Sequence, residues 1–97
     1  MIKTTHKYTS DELKAIHRDS FKNAELIRNI TEPKTCGCFY CMTIFTSNIL
    51  SDKDIHIEQD GEGTLLCPEC SVDSVIVETE QVKVTSELLN AMNKQYF

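Results

Sequence analysis

The spacing of apolar residues predicts a helix in the N-terminal third of the chain. Apolar side chains recur at helical spacing there, and they are followed by Pro33, which a helix does not readily include. Thr9 or Ser10 can cap the first turn, where Asp11 and Glu12 are favourable. We therefore predict one helix over residues 10–28, preceded by a polar arm over residues 1–9. Its apolar stripe consists of Leu13, Ile16, Ala24 and Ile27.

A second helix is predicted at the C-terminal end. Thr85 or Ser86 can cap it, and Glu87 is favourable in its first turn. The apolar positions after these caps again follow helical spacing. They are Leu88, Leu89, Met92 and Tyr96.

Between the helices the pattern changes to short alternating or β-branched runs, which indicate strands. We predict strands over residues 42–46, 64–66 and 74–79, and an extended piece over residues 81–84. Residues 47–54 are predicted as a turn or short helical segment, and Gly61 lies in a predicted tight turn. The pattern indicates one α+β domain over residues 10–97.

Two Cys-x-x-Cys motifs are the strongest chemical signal in the chain. Cys38 and Cys41 form the first CxxC loop, and Cys67 and Cys70 form the second. Two such loops in one small domain are typical of a tetrahedral thiolate site for Zn(II). We predict one structural zinc ion per chain, because four sulfur ligands leave no position for a reactive water. Two redox pairs or an iron–sulfur cluster are the alternatives.

The fifth cysteine, Cys36, precedes the first loop by two residues. It is an alternative ligand, but the spacing from Cys36 to Cys41 is wider than in a standard CxxC loop. We interpret Cys36 as a buried thiol outside the site, and a regulatory or ligand-swapping thiol is the alternative. The β-branched run after Cys70 favours a zinc-ribbon-like core flanked by the two helices, and a treble clef, in which a helix follows the second loop, is the alternative.

The charge balance argues against broad binding to nucleic acid. Ten Lys and Arg residues stand against 15 Asp and Glu residues, a net charge of −5, and the basic residues form no patch. An odd number of cysteines, five in all, excludes complete disulfide pairing. We expect a reducing cytoplasm, with no signal peptide and no membrane span.

Polar side chains interrupt the apolar stripe of the first predicted helix. His17 and Ser20 fall inside the stripe and Asn23 falls at its edge. We expect His17 to be mostly buried and to support the CxxC loops. The alternative is a polar ligand pocket between this helix and the loops, lined by His17, Ser20, Asn23, Asp73 and Ser74.

The two loops with their flanking residues resemble a family of small uncharacterised bacterial "cytoplasmic proteins". The resemblance lies in Cys36-Gly-Cys-Phe-Tyr-Cys-Met-Thr-Ile-Phe, in Leu66-Cys-Pro-Glu-Cys and in Asp73-Ser-Val-Ile. It extends over about residues 15–97 and includes a closing helix that ends in Tyr96-Phe97. Ser71 and Val77 stand where that family has glycine, and its Trp is missing. The resemblance implies a compact zinc-bound cytoplasmic fold. From the missing glycines and Trp we expect a phage or prophage copy.

Taken together, these features favour a non-enzymatic, zinc-stabilised adaptor with an unknown protein partner. The second hypothesis is a small-ligand binder or minor enzyme that uses His17, Ser20, Asn23 and Asp73. The third, a nucleic-acid accessory factor, is disfavoured by the charge.

Overall fold

The computed structural model describes residues 8–28 and 32–97, which form an α+β fold with small antiparallel sheets. Short 3₁₀ turns occupy Ala24–Ile27, Ser47–Ile49 and Asp52–Asp54. The helices and strands of the described residues, in chain order, are α1 Ser10–Asp19, β1 Thr35–Cys38, β2 Ile44–Thr46, β3 Ile55–Ile57, β4 Gly63–Leu65, β5 Val75–Val77 and α2 Ser86–Tyr96.

The strands form two separate sheets. In the larger sheet the order is β2-β1-β5, with β1 antiparallel to both neighbours, and Gly37 pairs with Ile44 and Ile76. The smaller sheet is the hairpin β3–β4, in which Ile55 pairs with Leu65. Its turn contains Gly61 at φ 90°, a left-handed conformation that glycine adopts without strain. The predicted tight turn is confirmed.

The period-two alternation of β1 separates the core into two clusters. Gly37 faces α2, and a Cβ there would lie 2.7 Å from Cγ1 of Val84 and 3.0 Å from Leu89. The helical cluster behind this face contains Leu13, Phe39, Ile76, Val84, Leu88, Leu89 and Met92. The cysteine cluster contains Ala24, Cys36, Cys38, Phe45, Leu65, Cys67, Val75 and Val77. The cysteine side chains of the CxxC loops therefore pack in the cluster on the side of the sheet that faces away from α2.

The prediction of one helix over residues 10–28 is wrong in its length. Helix α1 ends at Asp19, and Lys22 adopts a left-handed φ of 56° that α-helices do not tolerate. Ile16 packs with the helical cluster, whereas Ala24 and Ile27 pack with the cysteine cluster. The residues that were predicted to form one stripe thus pack in two different clusters, and the chain turns between them.

The C-terminal helix is confirmed. The Thr85 hydroxyl accepts a hydrogen bond of 3.1 Å from the N–H of Leu88 and caps α2, and Leu88, Leu89 and Met92 are buried. The helical alternative for residues 47–54 is also confirmed by the two 3₁₀ turns. Strands β1 and β3 were not predicted.

Two further sequence predictions concern the extended piece over residues 81–84 and the polar arm over residues 1–9. Residues 81–84 carry no assigned strand, although Val82 and Val84 pack with the helical cluster. Most of the predicted polar arm, residues 1–7, lies outside the described residues, whereas Tyr8 is half-buried against the helical cluster. Among the described helices, none has the length and apolar character needed to cross a membrane.

Candidate metal centre

The first CxxC loop reverses the chain between β1 and β2. The N–H of Met42 donates to the carbonyl of Cys38 over 2.9 Å, and the N–H of Cys38 donates to the carbonyl of Thr43 over 2.9 Å. Met42 itself has a left-handed φ of 70°. The tight reversal turns the side chains of Cys38 and Cys41 toward the same point.

The second CxxC loop repeats this geometry between β4 and β5. The N–H of Ser71 donates to the carbonyl of Cys67 over 2.8 Å, and the N–H of Cys67 donates to the carbonyl of Val72 over 2.9 Å. Ser71, which corresponds to Met42, has a φ of 66°. The two loops are therefore equivalent residue by residue.

Backbone N–H groups also point at the leading sulfur of each loop. The N–H of Tyr40 lies 3.4 Å from Sγ of Cys38, and the N–H of Glu69 lies 3.4 Å from Sγ of Cys67. Such contacts stabilise negative charge on sulfur, and the contact at Cys67 favours the charged thiolate over the neutral thiol. They occur in both loops because the two loops have the same backbone conformation.

The two loops bring four sulfur atoms into one cluster. Sγ of Cys38 lies 3.7 Å from Sγ of Cys70, and Sγ of Cys41 lies 3.6 Å from Sγ of Cys67. All four sulfurs lie within 4.8 Å of one another, and none forms a disulfide. Four sulfurs at about 2.3 Å from one tetrahedral Zn(II) would be about 3.8 Å apart. The donor set and its spacing thus fit a metal ion.

Burial favours the neutral thiol at two of the four candidate ligands, Cys67 and Cys70. Burial raises the pKa of Cys67 to about 12 and also raises the pKa of Cys70. Burial acts in the same direction on Cys41, but hydrogen bonds with Thr43, Cys67 and Cys38 together outweigh it and lower the pKa of Cys41 to about 7. A divalent cation would remove the mutual repulsion of the thiolates and allow all four to ionise.

Cys36 is fully buried in the cysteine cluster, outside the group of four sulfurs. Cys36 lies on the same face of β1 as Cys38, and it pairs with Val77 of β5. Its Sγ lies 3.7 Å from the carbonyl oxygen of Lys34. Burial raises the pKa of this thiol to about 12. The structure places Cys36 where the sequence analysis put it, as a buried thiol beside the candidate ligands.

The side chain of Ser74 contacts the sulfur cluster from the residues that follow the second loop. Its hydroxyl lies 3.0 Å from Sγ of Cys38, and its carbonyl accepts a hydrogen bond of 3.0 Å from the N–H of Phe39. Ser74 is 2% exposed, so this contact is shielded from water. The predicted pocket residue therefore touches a candidate metal ligand directly.

Asn93 of α2 holds the first loop from the opposite side and was missed by sequence reasoning. Its side-chain amide donates to the carbonyls of Phe39, over 2.9 Å, and of Tyr40, over 3.4 Å. Asn93 follows Leu89 by four residues and so continues the apolar stripe of α2. The presence of a polar residue within this apolar stripe was the sequence signal that could have indicated a buried hydrogen-bonding role.

Four of the five predicted pocket residues surround one cavity of about 420 Å³, which we call the aromatic cavity. His17 and Ser20 lie on its α1 side, and Asp73 and Ser74 lie on its far wall. Phenylalanine rings complete the lining, with buried Phe39 as one wall and exposed Phe21 and Phe97 at the rim.

The prediction that His17 is mostly buried is wrong. Its side chain is exposed in the last turn of α1, and its ring stacks on Tyr96 with the centroids 4.0 Å apart. The ring of Phe39 is 6.0 Å away and fills the interior space that His17 was expected to occupy.

Asn23 does not line the aromatic cavity. It is 3% exposed, and its side-chain amide hydrogen-bonds to backbone groups of Leu65 and Val75. The turn after Asp19 carries Asn23 away from His17 and Ser20, so the predicted pocket residues do not all face the same space.

No protein-family model, no curated protein and no solved structure matches this chain.

Proposed function

We propose that the four cysteines bind one structural Zn(II) ion and that the chain is a zinc-stabilised interaction module rather than an enzyme. The observation that best supports this proposal is that two equivalent loops bring all four sulfur atoms within 4.8 Å of one another. Zinc prefers four ligands in tetrahedral geometry, and thiolates are suitable ligands. Cys38, Cys41, Cys67 and Cys70 would fill all four positions and leave none for a substrate or a catalytic water.

We propose a zinc-ribbon-like arrangement for the core. The first loop joins two paired strands, β1 and β2, and the second loop leads into β5, which pairs with β1. In a treble clef the second loop would open a helix. Residues 71–74 lead from Cys70 into the strand Val75–Val77 instead, and this supports the ribbon.

Metal analysis tests the zinc proposal directly. Protein purified without added metal is expected to contain about one zinc per chain by elemental analysis, and native mass spectrometry should give the mass of one bound ion. Replacement by Co(II) should produce the absorption of a tetrahedral thiolate complex. The colour of an iron–sulfur cluster, or a folded protein with no metal, would contradict the proposal.

The interaction role is supported by aromatic side chains at the surface. Phe21, Tyr40 and Phe97 are 50%, 49% and 61% exposed. The ring of Tyr40 packs edge-on against Phe97 with the centroids 4.8 Å apart, and Phe21 and Phe97 share the aromatic cavity. Exposed aromatic groups of this kind mark protein interfaces more often than isolated apolar residues do. We propose a protein partner in a bacterial or phage cytoplasm.

The second candidate function is small-ligand binding in the aromatic cavity. It is favoured by the convergence of His17, Ser20, Asp73 and Ser74 on one space of about 420 Å³, within the usual range for ligand pockets. The two candidates share one surface. They differ in whether the occupant is a free molecule or a side chain of a partner.

A further inference from the structure

Strand β5 forms one edge of the larger sheet, with β1 on one side and no described strand on the other. At one end of the β1–β5 pair, the N–H of Phe39 donates to the carbonyl of Ser74. At the other end, the N–H of Glu78 donates to the carbonyl of Thr35. In an antiparallel pair, successive residues alternate between facing the partner strand and facing away from it with their backbone groups. The N–H and carbonyl of Val77 are therefore directed away from β1, toward the free edge.

One backbone group on this edge is already paired. The carbonyl of Val75 accepts a hydrogen bond of 2.8 Å from the side-chain amide of Asn23, as it would from a neighbouring strand. Two residues further on, no turn, loop or side-chain hydrogen bond of the described residues reaches the N–H or carbonyl of Val77. Val77 is only 4% exposed, and buried backbone groups are seldom unpaired in folded proteins. The edge therefore favours an occupant that supplies both a donor and an acceptor.

Val77 lies in the wall of a cavity of about 530 Å³, which we call the edge groove. The groove is formed by residues of β5 and of the turn that follows α1. Phe21 and Leu26 are 50% and 38% exposed there. The apolar side chains of the lining are Ile16, Phe21, Leu26, Ile76, Val77 and Val82. Phe21 also lines the aromatic cavity, so the edge groove is continuous with the proposed interaction surface.

Two of the three charged side chains in the edge groove are already paired. The Nζ of Lys22 lies 2.6 Å from a carboxylate oxygen of Asp60. A carboxylate oxygen of Glu25 lies 3.6 Å from the guanidinium group of Arg28. These groups therefore do not decide the charge of an occupant.

The third charged side chain, Asp19, is exposed and forms no ion pair or hydrogen bond within the described part of the chain. It ends α1, where the helix dipole disfavours a carboxylate. His17 and Arg18 precede it in the last turn, but they line the aromatic cavity rather than the edge groove. A positive group on the occupant would complement Asp19.

We infer that the edge groove binds an extended segment of a partner protein, which adds to β5 as a further strand. The segment exchanges two backbone hydrogen bonds with Val77, and an apolar side chain packs against Phe21 and Leu26. A neighbouring Lys or Arg of the segment lies near Asp19. In this mode of recognition the backbone pairing supplies affinity and alternate side chains supply specificity. The inference rests on the proposed interaction role, but it does not depend on the identity of the metal.

The test is a titration of the ¹⁵N-labelled protein, as purified, with capped heptapeptides, followed by nuclear magnetic resonance. The peptides are Thr-Lys-Val-Leu-Val-Lys-Thr and its two versions with Val or Phe at the centre. We expect amide shifts at Leu26 and Val77. Amide hydrogen exchange of Val77 should slow about tenfold or more in the complex, because its N–H gains a partner. A peptide with Ser in place of the three central apolar residues should not bind.

Backbone methylation of the peptide separates strand addition from simple apolar contact. One version carries an N-methyl group on the central residue, and the other carries N-methyl groups on the two residues that flank it. Only alternate residues of an added strand donate to β5, so one version should bind about as well as the unmodified peptide and the other about tenfold more weakly. Equal binding of the two versions would overturn the inference. So would the absence of any change at Val77 with all three unmodified peptides.

Protein variants test the side chains of the edge groove. Leu26→Ala should weaken binding about fivefold. Ile49→Ala is the matched control, because Leu26 and Ile49 are both exposed on 3₁₀ turns but Ile49 does not line the groove. Asp19→Asn should weaken binding of the lysine-containing peptides about threefold, whereas Asp52→Asn, at an exposed carboxylate on a 3₁₀ turn, should not. Equal losses in both aspartate variants would show diffuse attraction and would contradict a basic residue at Asp19.

The same measurements keep this inference separate from the proposed function. A zinc-loaded, folded protein whose Val77 amide does not respond contradicts the edge groove and leaves the metal centre in place. Peptide shifts confined to His17, Phe39 and Asp73 would place binding in the aromatic cavity, which supports an interaction role but contradicts strand addition. A folded protein without metal contradicts the zinc proposal, and its edge groove can be titrated in the same way.

Discussion

The side-chain carbonyl of Asn23 accepts a hydrogen bond of 2.9 Å from the backbone N–H of Leu65. The same amide donates through its nitrogen to the carbonyl of Val75 over 2.8 Å. Leu65 ends β4 and Val75 begins β5, so one buried side chain links the two sheets. These strands also flank the second CxxC loop, and the link therefore fixes the distance that the loop must span.

Loss of this bridge should destabilise the fold. In Asn23→Ala the N–H of Leu65 and the carbonyl of Val75 are left unpaired in the interior, and we expect a loss of about 2–4 kcal/mol in the free energy of unfolding. Urea denaturation of the metal-loaded protein measures this change. Asn90→Ala, an exposed position on α2, is the control and should change stability by less than about 0.5 kcal/mol. Equal stability of the two variants would contradict the bridging role.

Ser71 offers a stabilising substitution. It holds a left-handed φ of 66° that glycine adopts at lower cost, and Ser71→Gly should raise the free energy of unfolding by about 1 kcal/mol. Ser71→Ala retains a Cβ and hence the strain, so it should give no such gain. Thermal unfolding of the metal-loaded proteins distinguishes them. A gain in both variants would show that the serine side chain, not the backbone conformation, is responsible.

Local patterns in the sequence predicted the parts of the molecule that depend on near neighbours. The CxxC spacing identified Cys38, Cys41, Cys67 and Cys70, since two residues between ligands fix the local turn. Helix α2 was predicted for the same reason, because its cap and its apolar stripe lie within 12 consecutive residues.

The parts that depend on distant neighbours were not predictable in this way. Asn23 reaches strands 42 and 52 residues further along the chain, and nothing in its local sequence indicates them. His17 sits at the correct spacing for burial, but Phe39 fills the interior and leaves the histidine outside. Strand β1 was missed because it consists of the cysteine-containing residues Thr35–Cys38, whose composition gives no strand signal.

The hydroxyl of Ser74 should strengthen metal binding through Cys38. A polar group that contacts a ligand orients it, and its removal commonly lowers metal affinity about 10- to 100-fold. We expect Ser74→Ala to weaken zinc binding about 10-fold in competition with a chromophoric chelator. Ser47→Ala removes another buried hydroxyl, one that accepts a hydrogen bond from the N–H of Lys34. It should lower stability without weakening zinc binding, and a similar drop in affinity would argue against a specific role for Ser74.

Metal binding should release protons and strengthen as the pH rises. Burial raises the pKa of Cys67 to about 12 and raises that of Cys70, so both thiols are protonated in the metal-free fold near pH 7. Zinc binds thiolates and must displace these protons, which makes acid a competitor of the metal. Calorimetry of zinc binding in buffers of different ionisation enthalpy should show net proton release at pH 7. Affinity that stays constant between pH 6 and pH 8 would contradict a thiolate site.

The last prediction concerns which of the five cysteines bind the metal. Cys67→Ser should abolish tight zinc binding and unfold the domain, because three thiolates hold the metal poorly and structural zinc sites contribute on the order of 10 kcal/mol to folding. Cys36→Ser is the matched control, since Cys36 is equally buried but lies outside the group of four sulfurs. It should keep one zinc per chain and a cooperative unfolding transition. Elemental analysis and circular dichroism report metal and fold separately. Zinc that is lost in Cys36→Ser but retained in Cys38→Ser would assign the first ligand to Cys36 and would contradict the register of the first loop.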